Sequence, residues 1–135
     1  MSEFQLHSFD RARERPAPSE LVGRTLDGAP WRHRLDRTTL VVAVKANCDG
    51  CRDFVEGNLD EISRVDVVVL SAEPDEEWRA QGRPVVISPQ SLEDLQIPSA
   101  PFYVLVDASR GMVVSEGSVF SAAQVAQEIS AFLAT

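Results

Sequence analysis

Cysteine, histidine, lysine and long apolar runs are all scarce in this chain of 135 residues. Two cysteines cannot staple a disulfide scaffold, so the fold must rest on a packed core, for which this length is sufficient. With only two histidines and no glycine-rich phosphate loop, neither a Ser-His-Asp hydrolase site nor a nucleotide cradle is indicated. No apolar run approaches the ~20 residues of a membrane helix, and the stretch 40–44 is only strand-sized. The first 15 residues are polar and charged without a hydrophobic segment, so no secretory signal is read and a cytoplasmic location is expected. Basic residues are also outnumbered, thirteen against twenty-one acidic, for a formal net charge of −8. That balance argues against a nucleic-acid backbone or an anionic membrane as partner. Lys45 is the sole lysine beside twelve arginines, a bias to which no function is assigned.

What is present reads as one domain over 1–135. Residues 1–20, with Pro16 and Pro18, form an irregular lead-in, and Arg11, Arg13 and Arg15 read as solvated. Asp27-Gly28 predicts a tight hairpin turn, followed by alternation of Trp31, His33 and Leu35 with Arg32 and Arg34. Residues 38–46 are β-branched and almost continuously apolar, the pattern of a buried central strand, and 65–70 repeat it. Between them, Phe54, Val55, Leu59 and Ile62 are spaced for one face of a helix over 49–62. Strand, helix and strand make a βαβ unit with parallel strands. Pro74 to Glu77 resemble the acidic first turn of a helix carrying Trp78, with Glu73, Asp75, Glu76 and Glu77 complementing its dipole. A short strand over 84–87 and a short helix over 89–95 follow. Phe102 to Val106 and Met112 to Val114 then form a hairpin turning at Asp107 and Gly111. Ser121 and Gln124 form a capping box for a terminal helix whose face carries Val125, Ile129, Phe132 and Leu133. The order predicts an α/β fold, a mixed sheet covered by helices on both sides. Trp31 and Trp78 read as packing residues.

The two cysteines stand at Cys48 and Cys51, where the central strand gives way to the helix. Random placement gives that spacing roughly 1–2 times in a hundred. A sulfur at a helix start lies near unpaired backbone N–H groups and the positive end of the helix dipole, which favours thiolate, the reactive form. The pair reads as a dithiol in which Cys48 attacks a partner disulfide and Cys51 resolves the mixed disulfide. Lys45 and Arg52 add positive potential there and Asp49 opposes it. Zinc would need further soft ligands, for which only His7 and His33 exist, without finger spacing; no metal is expected.

Cys48-Asp49-Gly50-Cys51 between strand and helix, with the run Ile97-Pro98-Ser99-Ala100-Pro101-Phe102 ahead of the hairpin, resembles the thioredoxin-like superfamily. Leu26-Asp27-Gly28-Ala29-Pro30-Trp31 is similar to the N-terminal hairpin of its TlpA-like thiol:disulfide reductase and peroxiredoxin-related branch. The resemblance covers residues 20–135. It implies a mixed sheet flanked by helices, no cofactor, and a cis-proline beside the cysteines. Pro101 and Ala100 would form the edge that binds a partner peptide. It also implies a thiol:disulfide oxidoreductase that acts on a protein disulfide and is recharged by an upstream dithiol or small thiol. The substrate is expected to be a protein because the site sits at an exposed corner and no small-molecule pocket is implied.

The neighbours of the cysteines depart from that family. Asn47 replaces the usual Trp, Asp49-Gly50 replace Gly-Pro, Val42 replaces the buried carboxylate, and Glu56 replaces the helix proline. Phe54 stands where the TlpA-like branch often has Glu. Lys45 takes the place of a peroxiredoxin's threonine, and no histidine follows His33 to complete a copper site. These departures motivate a second reading, a redox-inactive interaction or assembly module on the same fold.

Overall fold

The computed structural model describes residues 14–56, 59, 62, 64–79 and 83–133. Eight strands form one mixed sheet: β1 Arg15–Pro16, β2 Glu20–Arg24, β3 Pro30–Arg34, β4 Thr39–Ala43, β5 Asp66–Ser71, β6 Val85–Ile87, β7 Phe102–Asp107 and β8 Met112–Ser118. Their order is β1-β8-β7-β4-β5-β6-β2-β3. Strand β4 runs parallel to β5, which runs parallel to β6, while β7 lies antiparallel on the other side of β4. All five residues of β4 are buried, as the apolar run requires of a strand covered on both faces.

The pleat divides those residues between two cores. Leu40 and Val42 face α1 (Asp49–Val55) and α3 (Ala122–Leu133), joining Phe54, Trp78, Val125 and Ile129. Val41 and Ala43 face the other way, towards Leu21, Leu35 and the end of α2 (Pro89–Asp94) at Leu95. The α/β fold read from the sequence is therefore the one observed. No helix among the described residues is long and apolar enough to cross a membrane.

Several elements differ in extent. Helix α1 stops at Val55 and not at Ile62. Leu59, in 3₁₀ conformation with its carbonyl accepting the Ile62 N–H at 3.0 Å, still packs on the same core as Ile62. The segment at Pro74 is a single 3₁₀ turn, Glu76–Trp78, capped by the Asp75 carboxylate on the Glu77 N–H at 2.9 Å. Strand β8 runs on to Ser118, with a register shift opposite Leu105/Val106. Hairpin β2–β3 exists, but a five-residue loop closes it, with Thr25 N–H bonded to the Ala29 carbonyl and Gly28 at φ +92°. Inside the lead-in, Arg15 is half-buried, and its guanidinium meets the Glu116 carboxylate at 2.7 Å and donates to the Leu95 carbonyl. Arg11 and Arg13 lie outside the described residues.

Hairpin β2–β3 joins the sheet through close backbone approach at Gly23. A Cβ there would stand 2.6 Å from the Ile87 carbonyl oxygen and 2.7 Å from Ser88 Cβ. Both neighbours belong to backbone or its first side-chain atom, so neither can swing aside. Gly23→Ala is expected to lower stability by about 1–3 kcal/mol, as overpacking does, measured as a shift in urea midpoint at unchanged slope.

Candidate functional site

Cys48 is the N-cap residue of α1, with extended backbone (φ −127°, ψ 109°) and no side-chain cap hydrogen bond. Its carbonyl accepts the Cys51 N–H at 3.1 Å, which closes the first turn and brings the two sulfurs to the same side of the helix start. Cys48 is half-buried and Cys51 is 1% exposed. Seven residues are too few for helix propensity alone to hold α1; Cys51, Phe54 and Val55 anchor it in the core. The spacing of those three residues, i, i+3 and i+4, carries a signal for the burial of the second cysteine that the pair alone does not.

The Cys51 thiol is hydrogen-bonded to Cys48 and accepts the Lys45 N–H at 3.4 Å. Burial pushes the thiol from its ordinary 9.0 up to about 12, and the hydrogen bond to Cys48 adds to that. The Lys45 N–H, which favours the anion, works against the rise. Cys51 is thus held as a protonated thiol against a more accessible sulfur.

Opposite the pair, the Ala100–Pro101 peptide bond is cis. Pro101 Cγ and Phe120 Cδ1 lie 3.5 and 3.8 Å from where a Gly50 Cβ would sit, so Gly50 leaves room between helix start and proline. The four residues singled out in the sequence therefore occupy one corner of the sheet. Phe120, 70% exposed, extends that corner as an apolar surface. It is the most exposed large apolar side chain among the described residues, and no periodic pattern marks it.

Two carboxylates brace the corner in roles the sequence did not show. Asn47, just ahead of Cys48, has left-handed backbone (φ 58°) and donates its N–H to Glu77 Oε1 at 3.2 Å. Asn tolerates that conformation better than most residues, which gives position 47 a physical reason to carry it. Glu77 had read as a dipole partner of its own turn; its side chain instead reaches across to the cysteine loop. Asp53, in α1, accepts the Ala122 N–H at 2.6 Å and ties α1 to the start of α3.

A cleft of about 360 Å³ opens beside the cysteine loop, at the carboxyl ends of β4 and β5. Lys45, Ala46 and Ala100 line it together with Glu73 to Asp75. The expectation that no pocket accompanies the site is corrected here. The cleft arises where strand ends and two loops converge, a feature of three dimensions only.

No family model matches the chain, and no curated protein matches it by sequence. Solved structures do match. A DsbF homologue from Corynebacterium diphtheriae is 14% identical, with 90% of this chain and 89% of that one covered at a TM-score of 0.66. A thiol:disulfide interchange protein of the thioredoxin family from Chlorobium tepidum is 22% identical, covering 87% and 96% at 0.62. A secreted Mycobacterium tuberculosis disulfide oxidoreductase is 12% identical, covering 82% and 95% at 0.61. At these identities the likeness establishes a shared fold.

Proposed function

From the thioredoxin-like fold that this chain has, with a cysteine pair at its strand–helix corner, we propose a thiol:disulfide oxidoreductase acting on protein disulfides. The observation that carries the reading is the hydrogen-bonded pair itself: an accessible Cys48 at the helix start with the buried Cys51 thiol on it. In the proposed cycle the Cys48 thiolate attacks one sulfur of the partner disulfide. That S–S bond breaks, a mixed disulfide forms, and the first partner thiolate leaves and takes a proton. Cys51 then gives up its proton and attacks Cys48 Sγ, releasing the second partner thiol. Two electrons and two protons pass to the partner, and the protein is left with a Cys48–Cys51 disulfide. An external dithiol or small thiol reverses the exchange and restores it; no bound cofactor takes part. Ala100 and Pro101 form the edge along which the partner chain lies, and Phe120 offers apolar contact beside it.

Turnover tests it. With dithiothreitol as reductant, the protein is expected to accelerate insulin reduction, read as precipitation of the freed B chain, in proportion to its concentration. A rate equal to that of dithiothreitol alone at every protein concentration contradicts the proposal and favours the redox-inactive module.

A further inference from the structure

We propose that the cleft beside the cysteine loop is a specificity pocket for a basic side chain, arginine or lysine, lying one or two residues from the partner's reacting cysteine. This rests on the oxidoreductase reading above and names the class of substrate it serves. Position is the first argument. The cleft shares Ala100 with the proposed partner edge and Lys45 and Ala46 with the loop that ends in Cys48, so a partner chain lying on that edge passes its mouth. The carboxyl ends of parallel strands are also where open α/β sheets take their ligands. Size is the second. About 360 Å³ is at the low end of ligand-sized cavities, room for one or two side chains of an extended segment.

Chemistry selects which side chain. Ala43, Leu92, Ile97 and Ala100 supply an apolar wall, and the exposed Glu73 and half-buried Asp75 are the acidic residues of its rim. A methylene stem ending in a cation fits that sequence of surfaces, because the stem stays on the apolar wall while the charge remains wet at the mouth. The rim is fixed in place. The Glu73 carbonyl accepts the Ser71 hydroxyl at 2.9 Å and the Trp78 indole N–H at 3.4 Å. Asp75 is held by its bond to the Glu77 N–H. Lys45, on the side nearer Cys48, repels a cation and so directs the head group to the Glu73 end. The net charge of −8 adds long-range attraction for a basic partner.

The test uses short peptides whose single cysteine is capped with thionitrobenzoate and flanked by Arg, Leu or Glu. Attack by Cys48 on the peptide sulfur releases yellow thionitrobenzoate, and each rate is normalised to that of dithiothreitol with the same peptide. At low salt the Arg peptide is expected to react at least about tenfold faster than the Glu peptide, a range typical of charge steering. Glu73→Gln should cut that ratio at least about threefold and Glu73→Lys should invert it. Asp36→Lys, the same charge change at an exposed site in the connection between β3 and β4, should leave it in place. Equal rates for the three peptides, or equal collapse of the ratio in Glu73→Lys and Asp36→Lys, overturn the pocket. Loss of all reaction, including that with the small disulfide dithiobis-nitrobenzoate, overturns the oxidoreductase reading beneath it.

Discussion

Cys51→Ser is expected to stop after one exchange, carrying a stable mixed disulfide on Cys48, whereas Cys48→Ser is expected to form almost none. Dithiobis-nitrobenzoate shows this directly. The wild type should release thionitrobenzoate twice per molecule, once when Cys48 attacks and again when Cys51 displaces the bound half. Cys51→Ser should release it once and hold the second equivalent until a reductant is added. Cys48→Ser should react about a thousandfold more slowly or worse, since the remaining sulfur is 1% exposed and is held as thiol, the unreactive form. The asymmetry follows from placement: one sulfur caps the helix at the surface, and the other is an anchor of that helix in the core. A stable adduct on Cys51 in the Cys48→Ser protein, formed as fast as the wild-type first phase, would reverse the assignment of roles.

The second release should be the step that depends most on pH. Burial, the main cause that lifts the Cys51 thiol, persists in the mixed disulfide although the contributions of Cys48 are lost there. Only the rare Cys51 thiolate can therefore attack, and that fraction grows tenfold per pH unit. Measured from pH 7 to pH 9, the second phase should therefore quicken by about a hundredfold with no plateau. Val42, where the resemblance would place a buried carboxylate to help remove this proton, is fully buried among apolar neighbours. A plateau below pH 9 would show that another group on this chain takes the proton. Stability carries the same signature. A folded thiol raised from 9.0 to about 12 holds its proton where the unfolded chain has lost it. Its contribution is fully present below pH 9 and is lost as pH rises through that window, at about 1.4 kcal/mol per unit. Tyr103, raised by burial from 10.0 to about 12, acts in the same direction from pH 10 upward. Oxidation of the pair removes the Cys51 contribution, so the disulfide form should be the less alkali-sensitive of the two.

The sheet was legible because its central strands are unbroken apolar runs. Residues 40–44 have no polar position to leave on a solvent face, and burial on both sides follows. The cysteine pair was legible because three residues of spacing at a strand–helix junction is itself a chemical statement. What stayed hidden depends on partners far along the chain. Glu77 reaches Asn47 and Arg15 reaches Glu116, at separations of 30 and 101 residues, and local pattern reads each only as a charge on its own segment. Leu59 and Ile62 mislead for a related reason, since they pack on the core beyond the end of the α-helix at Val55. The cleft has no sequence signature, being made by the ends of strands and two loops; neither has Phe120, which stands out only by its exposure beside Pro101.

The account turns on whether the two sulfurs form a bond with each other. Equilibrating the protein across reduced-to-oxidised glutathione ratios, quenching in acid and counting free thiols with an alkylating mass tag measures that directly. A single two-electron transition is predicted, from a species with both thiols tagged to one with neither and without added glutathione mass. Two tagged thiols at every ratio, or loss of thiol only through bound glutathione, would contradict the account.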